Sequence, residues 1–307
     1  MISRLAGSLR EKWRRLADLR GRVDMVQQAL GRIEARQTRD VAAGDLTSAE
    51  FKVSSQFGED GIIEHLIRHV PIGNPYFIEF GVEDYTEANT RFLLRNRNWS
   101  GLVLDGSKEN IEKIKQDAIY WRHDITAVES FITRENINAT IARHGKSGDI
   151  GLLSIDIDGN DYWIWEAIDC VSPRIVIVEY NSVFGGEAVV AVPYDAQFVR
   201  TAKHHTNLYF GCSIGALKHL ADRKGYCLAG SDSAGINAFF VRQDVAGKFQ
   251  NLSAGAAYVQ SRLRQSRGTD GALTYLSHRD SRAAMASMPL IDVKSGASLT
   301  VGDIKAD

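Results

Sequence analysis

The segment Ile150-Gly-Leu-Leu-Ser-Ile-Asp156-Ile-Asp158-Gly-Asn-Asp161 decides the fold. Its first half is a short, nearly unbroken apolar run, the pattern of a strand buried on both faces of a parallel sheet. Arg174-Ile-Val-Ile-Val-Glu179 repeats that pattern, and Tyr162–Ile168 between them has a helical period. Strand, helix and strand at this spacing make a βαβ unit.

The same alternation extends outward. Upstream, Ile62–His69, Ala88–Asn96, Lys108–Ala118 and Ile137–His144 read as helices, and Tyr76–Phe80 and Gly101–Asp105 as strands, with a third strand near Ile119–Arg122. Downstream, a helix over Ser213–Lys224 precedes two strands, Tyr226–Ala229 and Asn237–Val241. Those two are close in sequence with a glycine between them, so they are expected to pair antiparallel. The fold class is therefore α/β, a Rossmann-like doubly wound sheet of seven strands, mostly parallel with an antiparallel last strand.

In an open α/β sheet, ligands bind at the carboxyl ends of the strands. The first strand ends in Glu79-Phe-Gly81, with one glycine where a dinucleotide site needs three and no Lys-Ser/Thr after it, so a phosphate cradle is disfavoured. Acidic residues around a single glycine suit a cationic cofactor. The second strand ends in Asp105-Gly106, where a carboxylate can take both ribose hydroxyls. On the third-strand reading, Asp124 accepts from an exocyclic adenine amine and Ile125 packs on the ring. The fourth strand runs into Asp156, Asp158 and Asp161, which need a positive group nearby: a cationic methyl donor, a divalent metal, or Arg122 and Lys203. Glu179 and Asn181 follow the fifth strand, and oxygen ligands from two adjacent strand ends, Asp156, Asp158 and Glu179, would suit Mg²⁺. His123, His204 and His205 are candidates for a general base.

Residues 1–38 differ from the rest. Ile2, Leu9, Leu16, Val23 and Leu30 fall at a positions and Leu5, Leu19, Val26 and Ile33 at d, with Lys12 interrupting the seam. That spacing indicates a coiled coil and self-association, against the blander reading of a helix packed back on its own domain. The segment carries nine Arg or Lys against four Asp or Glu, so peripheral membrane or complex association is a further reading. The divisions expected are 1–38 coiled coil, 39–50 linker, 51–245 catalytic domain and 246–307 C-terminal extension. In that extension Ala256–Leu263 and Ser281–Met288 read as short helices and Leu290–Val293 as a strand.

Among 307 residues, hydrophobic types make up 44% and charged types 24%, enough for a core. A formal net charge of −1 supplies no field for nucleic acid. Cys170, Cys212 and Cys227 form no CxxC pair, which disfavours a disulfide framework or zinc site and fits the cytoplasm. No apolar run is long enough for a membrane span.

Several segments together resemble the FkbM-like group of class I S-adenosylmethionine-dependent methyltransferases. They are Ser55-Gln-Phe-Gly-Glu-Asp-Gly-Ile-Ile63, Phe77-Ile-Glu-Phe-Gly81, Asn89-Thr90, Trp99-Ser-Gly-Leu-Val-Leu-Asp-Gly106, Leu153-Ser-Ile-Asp-Ile-Asp-Gly-Asn-Asp-Tyr-Trp163 and Val178-Glu-Tyr-Asn181. Tyr209-Phe-Gly211 and Asn237-Ala-Phe-Phe240 extend the match over roughly residues 50–245. Arg267–Leu276 looks like an extension found in close relatives. The resemblance implies O-methylation of a sugar or glycan hydroxyl, with Glu79, Gly81, Asp105, Asp124 and Asp156 on the methyl donor. It places Asp158, Glu179 and Asn181 on the acceptor or metal side, and Arg122 is read with them as substrate-binding. Asp158 or a histidine, His204 or His205, would take the proton. The usual loop after the first strand carries further glycine, whereas this one reads Val82-Glu-Asp-Tyr85. Two alternatives remain: a non-catalytic coiled-coil protein on this scaffold, and a nucleotide-sugar enzyme of other chemistry.

Overall fold

In the computed structural model the described residues are 2–304, with side chains in the first helix described at 11, 19 and from 21 onward. The chain runs α1 (Ile2–Gln37), α2 (Glu59–His69), β1 (Tyr76–Phe80), α3 (Arg91–Arg97), β2 (Ser100–Asp105), α4 (Lys108–Gln116), α5 (Ala118–Arg122), β3 (Ile125–Glu129) and α6 (Ile137–His144). It continues with β4 (Gly148–Ile155), α7 (Asp161–Ala167), β5 (Val171–Glu179), β6 (Val190–Ala191), α8 (Arg200–Lys203), α9 (Ile214–Lys224), β7 (Tyr226–Ser231) and β8 (Asn237–Arg242). Beyond these lie α10 (Ala254–Ala257), α11 (His278–Ala284), β9 (Pro289–Asp292) and β10 (Ser298–Thr300).

The main sheet has seven strands in the order β3-β2-β1-β4-β5-β8-β7. β1 pairs in parallel with β2 and β4, β2 with β3, and β4 with β5. Only β8 is reversed, antiparallel to both β5 and β7. Order and directions are those of the class I methyltransferase fold. Alternate residues of each strand feed two cores. Ile78, Phe80, Leu104, Leu153, Ile155 and Phe240 join α7 and α9 on one face. Phe77, Val103, Leu152, Ile175, Ile177 and Phe239 join α2 and α3 on the other. β1 and β4 are central and adjacent, yet the chain proceeds from them in opposite directions across the sheet. Their carboxyl ends therefore open the crevice where ligands bind in such sheets.

The expected third strand is corrected. Residues 118–122 are a helical turn, because Asp117 caps it by accepting from the Ile119 N–H (2.8 Å), and the strand is Ile125–Glu129. Asp124, Ile125 and Arg122 consequently lie at the amino edge of the sheet, where Gly101 N–H donates to the Asp124 carbonyl (3.1 Å). The C-terminal helices are also shorter than expected, at 254–257 and 278–284. Residues 258–277 form no regular element apart from one bridge, Arg267 to Leu273. β9 pairs with β6 and β10, so the C-terminal extension is fastened by a second, three-stranded sheet. No helix among the described residues is long and apolar enough to cross a membrane.

The α1 helix docks on the α2/α3 side. Asp24 accepts both guanidinium nitrogens of Arg95 (2.6 Å each), and Arg68 donates to the carbonyls of Ala35 (2.6 Å) and Thr38 (2.9 Å). Gly31 allows close approach, since a Cβ there would lie 2.3 Å from Val53 Cγ2 and 2.9 Å from Phe92 Cζ. Overpacking of this kind costs about 1–3 kcal/mol, only partly offset by the ~1 kcal/mol that alanine gains over glycine in a helix. Gly31→Ala is therefore expected to lower the urea midpoint despite its better helix propensity; a raised midpoint would show that the helix does not pack here.

Candidate active site

A cleft of about 880 Å³ opens over the carboxyl ends of β1, β2, β4 and β5. Glu79, Gly81, Asp105, Asp156, Asp158, Glu179 and Asn181 all line it, so seven of the residues singled out in the sequence converge. Gly81 sits at the centre. It has a left-handed backbone (φ 68°), and a Cβ there would lie 1.7 Å from the Asp156 carbonyl oxygen. Its N–H donates to the Leu104 carbonyl of β2 (2.9 Å). The loop that follows has no second glycine, and the chain instead takes left-handed turns at Glu83 (φ 48°) and Tyr85 (φ 62°).

Three of the carboxylates are engaged by the chain itself. Glu79 accepts from Asn89 N–H (2.8 Å), Thr90 N–H (3.0 Å) and the Thr90 hydroxyl (2.5 Å), tying the loop after β1 to its floor. Burial nevertheless pushes its carboxyl up to about 7. Asp105 accepts from Glu83 N–H (2.8 Å), Ser107 N–H (2.8 Å) and the Asn110 amide (3.1 Å), while Ser107 caps α4. Asp161 accepts from Ile157 N–H (2.9 Å) and Gly159 N–H (3.0 Å) and so shapes the turn after β4; burial lifts it to about 6 against those bonds. Asn181 is likewise structural. Its amide donates to the carbonyls of Leu208 (2.8 Å) and Phe210 (3.0 Å), and its oxygen accepts from Val183 N–H (3.1 Å).

Asp156 and Glu179 are the carboxylates shifted furthest. Burial, then the neighbouring charge of Asp158, raises Asp156 well above the ordinary carboxylate range. Burial, then Asp156 itself, does the same to Glu179. Two carboxyls this close hold a proton between them more readily than two charges. Glu179 is 7% exposed, and its Oε2 has no hydrogen-bond partner. Oxygens of Asp156, Asp161 and Glu179 lie within 4.8 Å of one another. The expected metal trio is thus corrected at one position. Asp158 is exposed, with a left-handed backbone, and pairs with Arg200.

Arg200 is the cation that the sequence reading missed. It donates to Asp158 and to the Asn207 carbonyl (2.7 Å), lies 3.7 Å above the Phe210 ring, and its charge partly offsets the upward shifts of Asp156 and Glu179. Lys203 instead pairs with Asp195 across 2.5 Å. His204 and His205 do not line the cleft. They stack on each other at 4.3 Å, past the end of the single turn α8, and His204 Nδ1 bonds the Thr206 hydroxyl (2.8 Å). His123 shares the amino edge with Arg122, whose guanidinium sits on the exposed Trp121 ring (4.7 Å). Among the described residues, the histidine in the cleft is His278, whose Nε2 lies 2.8 Å from the Ser182 carbonyl.

Where β3 truly ends, Ser130, Phe131 and Ile132 line the cleft, with the Phe131 ring half exposed beside Gly106. They take over the position first given to Asp124 and Ile125. The C-terminal extension closes the opposite side. Tyr180 Oη donates to the Val259 carbonyl (2.7 Å), and Ser182 Oγ accepts from Ser261 N–H (3.0 Å), so 260–266 runs along the rim.

No protein-family model matches this sequence, and no curated protein matches it. Solved structures give distant likenesses. The N-terminal domain of EvdMO1 with SAH bound has a TM-score of 0.39 at 12% identity, over 69% of this chain and 94% of that one. M. capricolum TrmK in complex with S-adenosylhomocysteine has a TM-score of 0.34 at 10% identity, over 58% and 65%. A putative O-methyltransferase from Klebsiella pneumoniae has 0.35 at 12%, over 70% and 90%. At these scores none bears on the assignment, which rests on sheet order and strand direction.

The close approach at Gly81 gives a direct check. Gly81→Ala combines a left-handed backbone with a backbone collision and should cost about 3 kcal/mol or more in denaturant unfolding. An unchanged unfolding midpoint would mean that the loops after β1 and β4 are not in contact.

Proposed function

We propose that this chain is an S-adenosylmethionine-dependent methyltransferase that acts on a hydroxyl, in the manner of the FkbM-like group it resembles, with a sugar or glycan as acceptor. One observation carries the reading: strand-end carboxylates meet in a single cleft at the β1/β4 crevice of this particular sheet. An acidic cleft repels a pyrophosphate and suits a cofactor with sulfonium and ammonium charges. The group would lie between Gly81, Asp105 and the Phe131 side, with Asp105 toward the ribose. When bound it supplies an electrophilic methyl group.

The chain's own residues do the rest. The Asp156–Glu179 pair holds one proton and accepts the acceptor hydroxyl's proton when it is ionised, in place of the expected Asp158, His204 or His205. Arg200 and Asp158, locked to each other, form the polar wall beside it. Phe198, Phe210 and Leu208 give the acceptor side apolar surface, and residues 260–266 narrow its entrance and exclude water. The three free cysteines fit a reducing compartment such as the cytoplasm.

A second reading adds Mg²⁺, favoured by the unpartnered Glu179 Oε2. Asp156, Asp161 and Glu179 would hold the ion, and it would lower the hydroxyl pKa. Mn²⁺ titration followed by electron paramagnetic resonance separates the two. Loss of the free Mn²⁺ signal that Glu179→Gln abolishes supports the ion, and an unaltered signal leaves the shared proton.

Incubation with methyl-labelled donor and a panel of free sugars, nucleotide sugars and glycans tests the activity. Label should enter a hydroxyl; absence of label from every acceptor while the donor is bound would point to other chemistry. With an acceptor in hand, kcat/KM should rise with pH as the shared proton is lost. Asp156→Asn removes the charge that helps hold Glu179 up, so the limb should move to lower pH with a drop of about 10²-fold or more in kcat. A limb that stays put would remove the pair from the proton transfer.

A further inference from the structure

The helix α1 has two faces with different fates. Asp24, Gln28, Gly31 and Ala35 recur at steps of four, three and four and are the face that docks on the domain, with Gln28 and Ala35 buried. The heptad seam lies roughly 150° around the helix from them, at 3.6 residues per turn. Along it Leu19 is 57% exposed, Val23 56%, Val26 59%, Leu30 54% and Ile33 47%. The apolar register continues in the sequence at Leu16, Leu9, Leu5 and Ile2, whose side chains lie outside the described residues. Docking on the domain therefore does not explain the seam.

We propose that the seam pairs with the same seam of a second copy of this chain, as a two-stranded coiled coil. Three features select that occupant. First, an alternation of four and three residues keeps a stripe two positions wide, which meets another helix of the same period; a lipid surface needs a broader apolar face. Second, the area suffices. Each half-exposed aliphatic side chain offers on the order of 100 Å². Five from each copy cover about 1,000 Å² in all, the lower bound for a specific interface, before the register upstream is added. Third, an identical stripe on each copy closes on itself about a two-fold axis and leaves no further apolar surface to propagate. The domain-facing contacts of Asp24, Gly31 and Arg68 fix the helix on its domain, so pairing the helices also fixes the spacing of two domains.

Sedimentation equilibrium of the full chain at tens of micromolar is expected to give twice the 34.0 kDa monomer mass. The variant Val26→Asp/Leu30→Asp should give one monomer mass. Met25→Asp, at an exposed position outside the seam, should leave the mass doubled. Near-ultraviolet circular dichroism, unchanged in the seam variant, shows that the domain is still folded. A monomeric wild type, or a doubled mass that survives the seam variant, overturns the proposal. So does a monomer that binds phosphatidylserine vesicles through the seam. None of these outcomes depends on methyl transfer.

Discussion

The backbone of Gly81 rests on the carbonyl of Asp156, and the rest of the site depends on that contact. It lies between the two central strands, at the point where the sheet turns from the β1-β2-β3 half to the β4-β5 half. No side chain fits there. The contact lets the loop after β1 fold down over the crevice, so that Glu83 N–H can reach Asp105 and Glu79 can hold residues 89 and 90. Without it the carboxylates at the ends of β1, β2, β4 and β5 would line four separate loops.

Gathering so many acids into one cleft is costly unless something answers the charge. The chain answers it unevenly. Glu79 and Asp161 receive backbone N–H groups from turns they themselves organise, so they serve as scaffold, while Asp105, held in the same way, also faces the cleft. Burial, then neighbouring carboxylates, displaces the ionisation of Asp156 and Glu179 furthest, and Arg200 offsets part of it. The two sets are thus distinguished by their hydrogen bonding. Position at a strand end alone does not distinguish them.

Much of the scaffold was legible because buried parallel strands write themselves as continuous apolar runs, and Ile150–Ile155 and Arg174–Glu179 do so plainly. The third strand was not. Ile119-Tyr-Trp-Arg122 and Ile125-Thr-Ala-Val-Glu129 are both short and half apolar, and the cap at Asp117 was the signal that separated them. Misplacing that edge strand carried Asp124, Ile125 and Arg122 to the wrong rim of the sheet and hid Phe131. Arg200 was invisible because its role comes from Asp158, far away in sequence, and from the fold of its own loop onto Phe210. The His204-His205 doublet drew attention by proximity alone. Residues 260–263 read as helix in the sequence and form none, and 264–266 and His278 lie between the two expected helices, where sequence gives no direction for any side chain.

The central claim is that the crevice beside Gly81 is a site for S-adenosylmethionine and its product. Calorimetric titration of the full chain with S-adenosylhomocysteine tests it most directly. Saturable binding at one site per chain is predicted, weakened about tenfold or more in Asp105→Ala, as loss of a charge-assisted pair of ribose hydrogen bonds requires. No heat from the wild type, or equal affinity in Asp105→Ala, would contradict it.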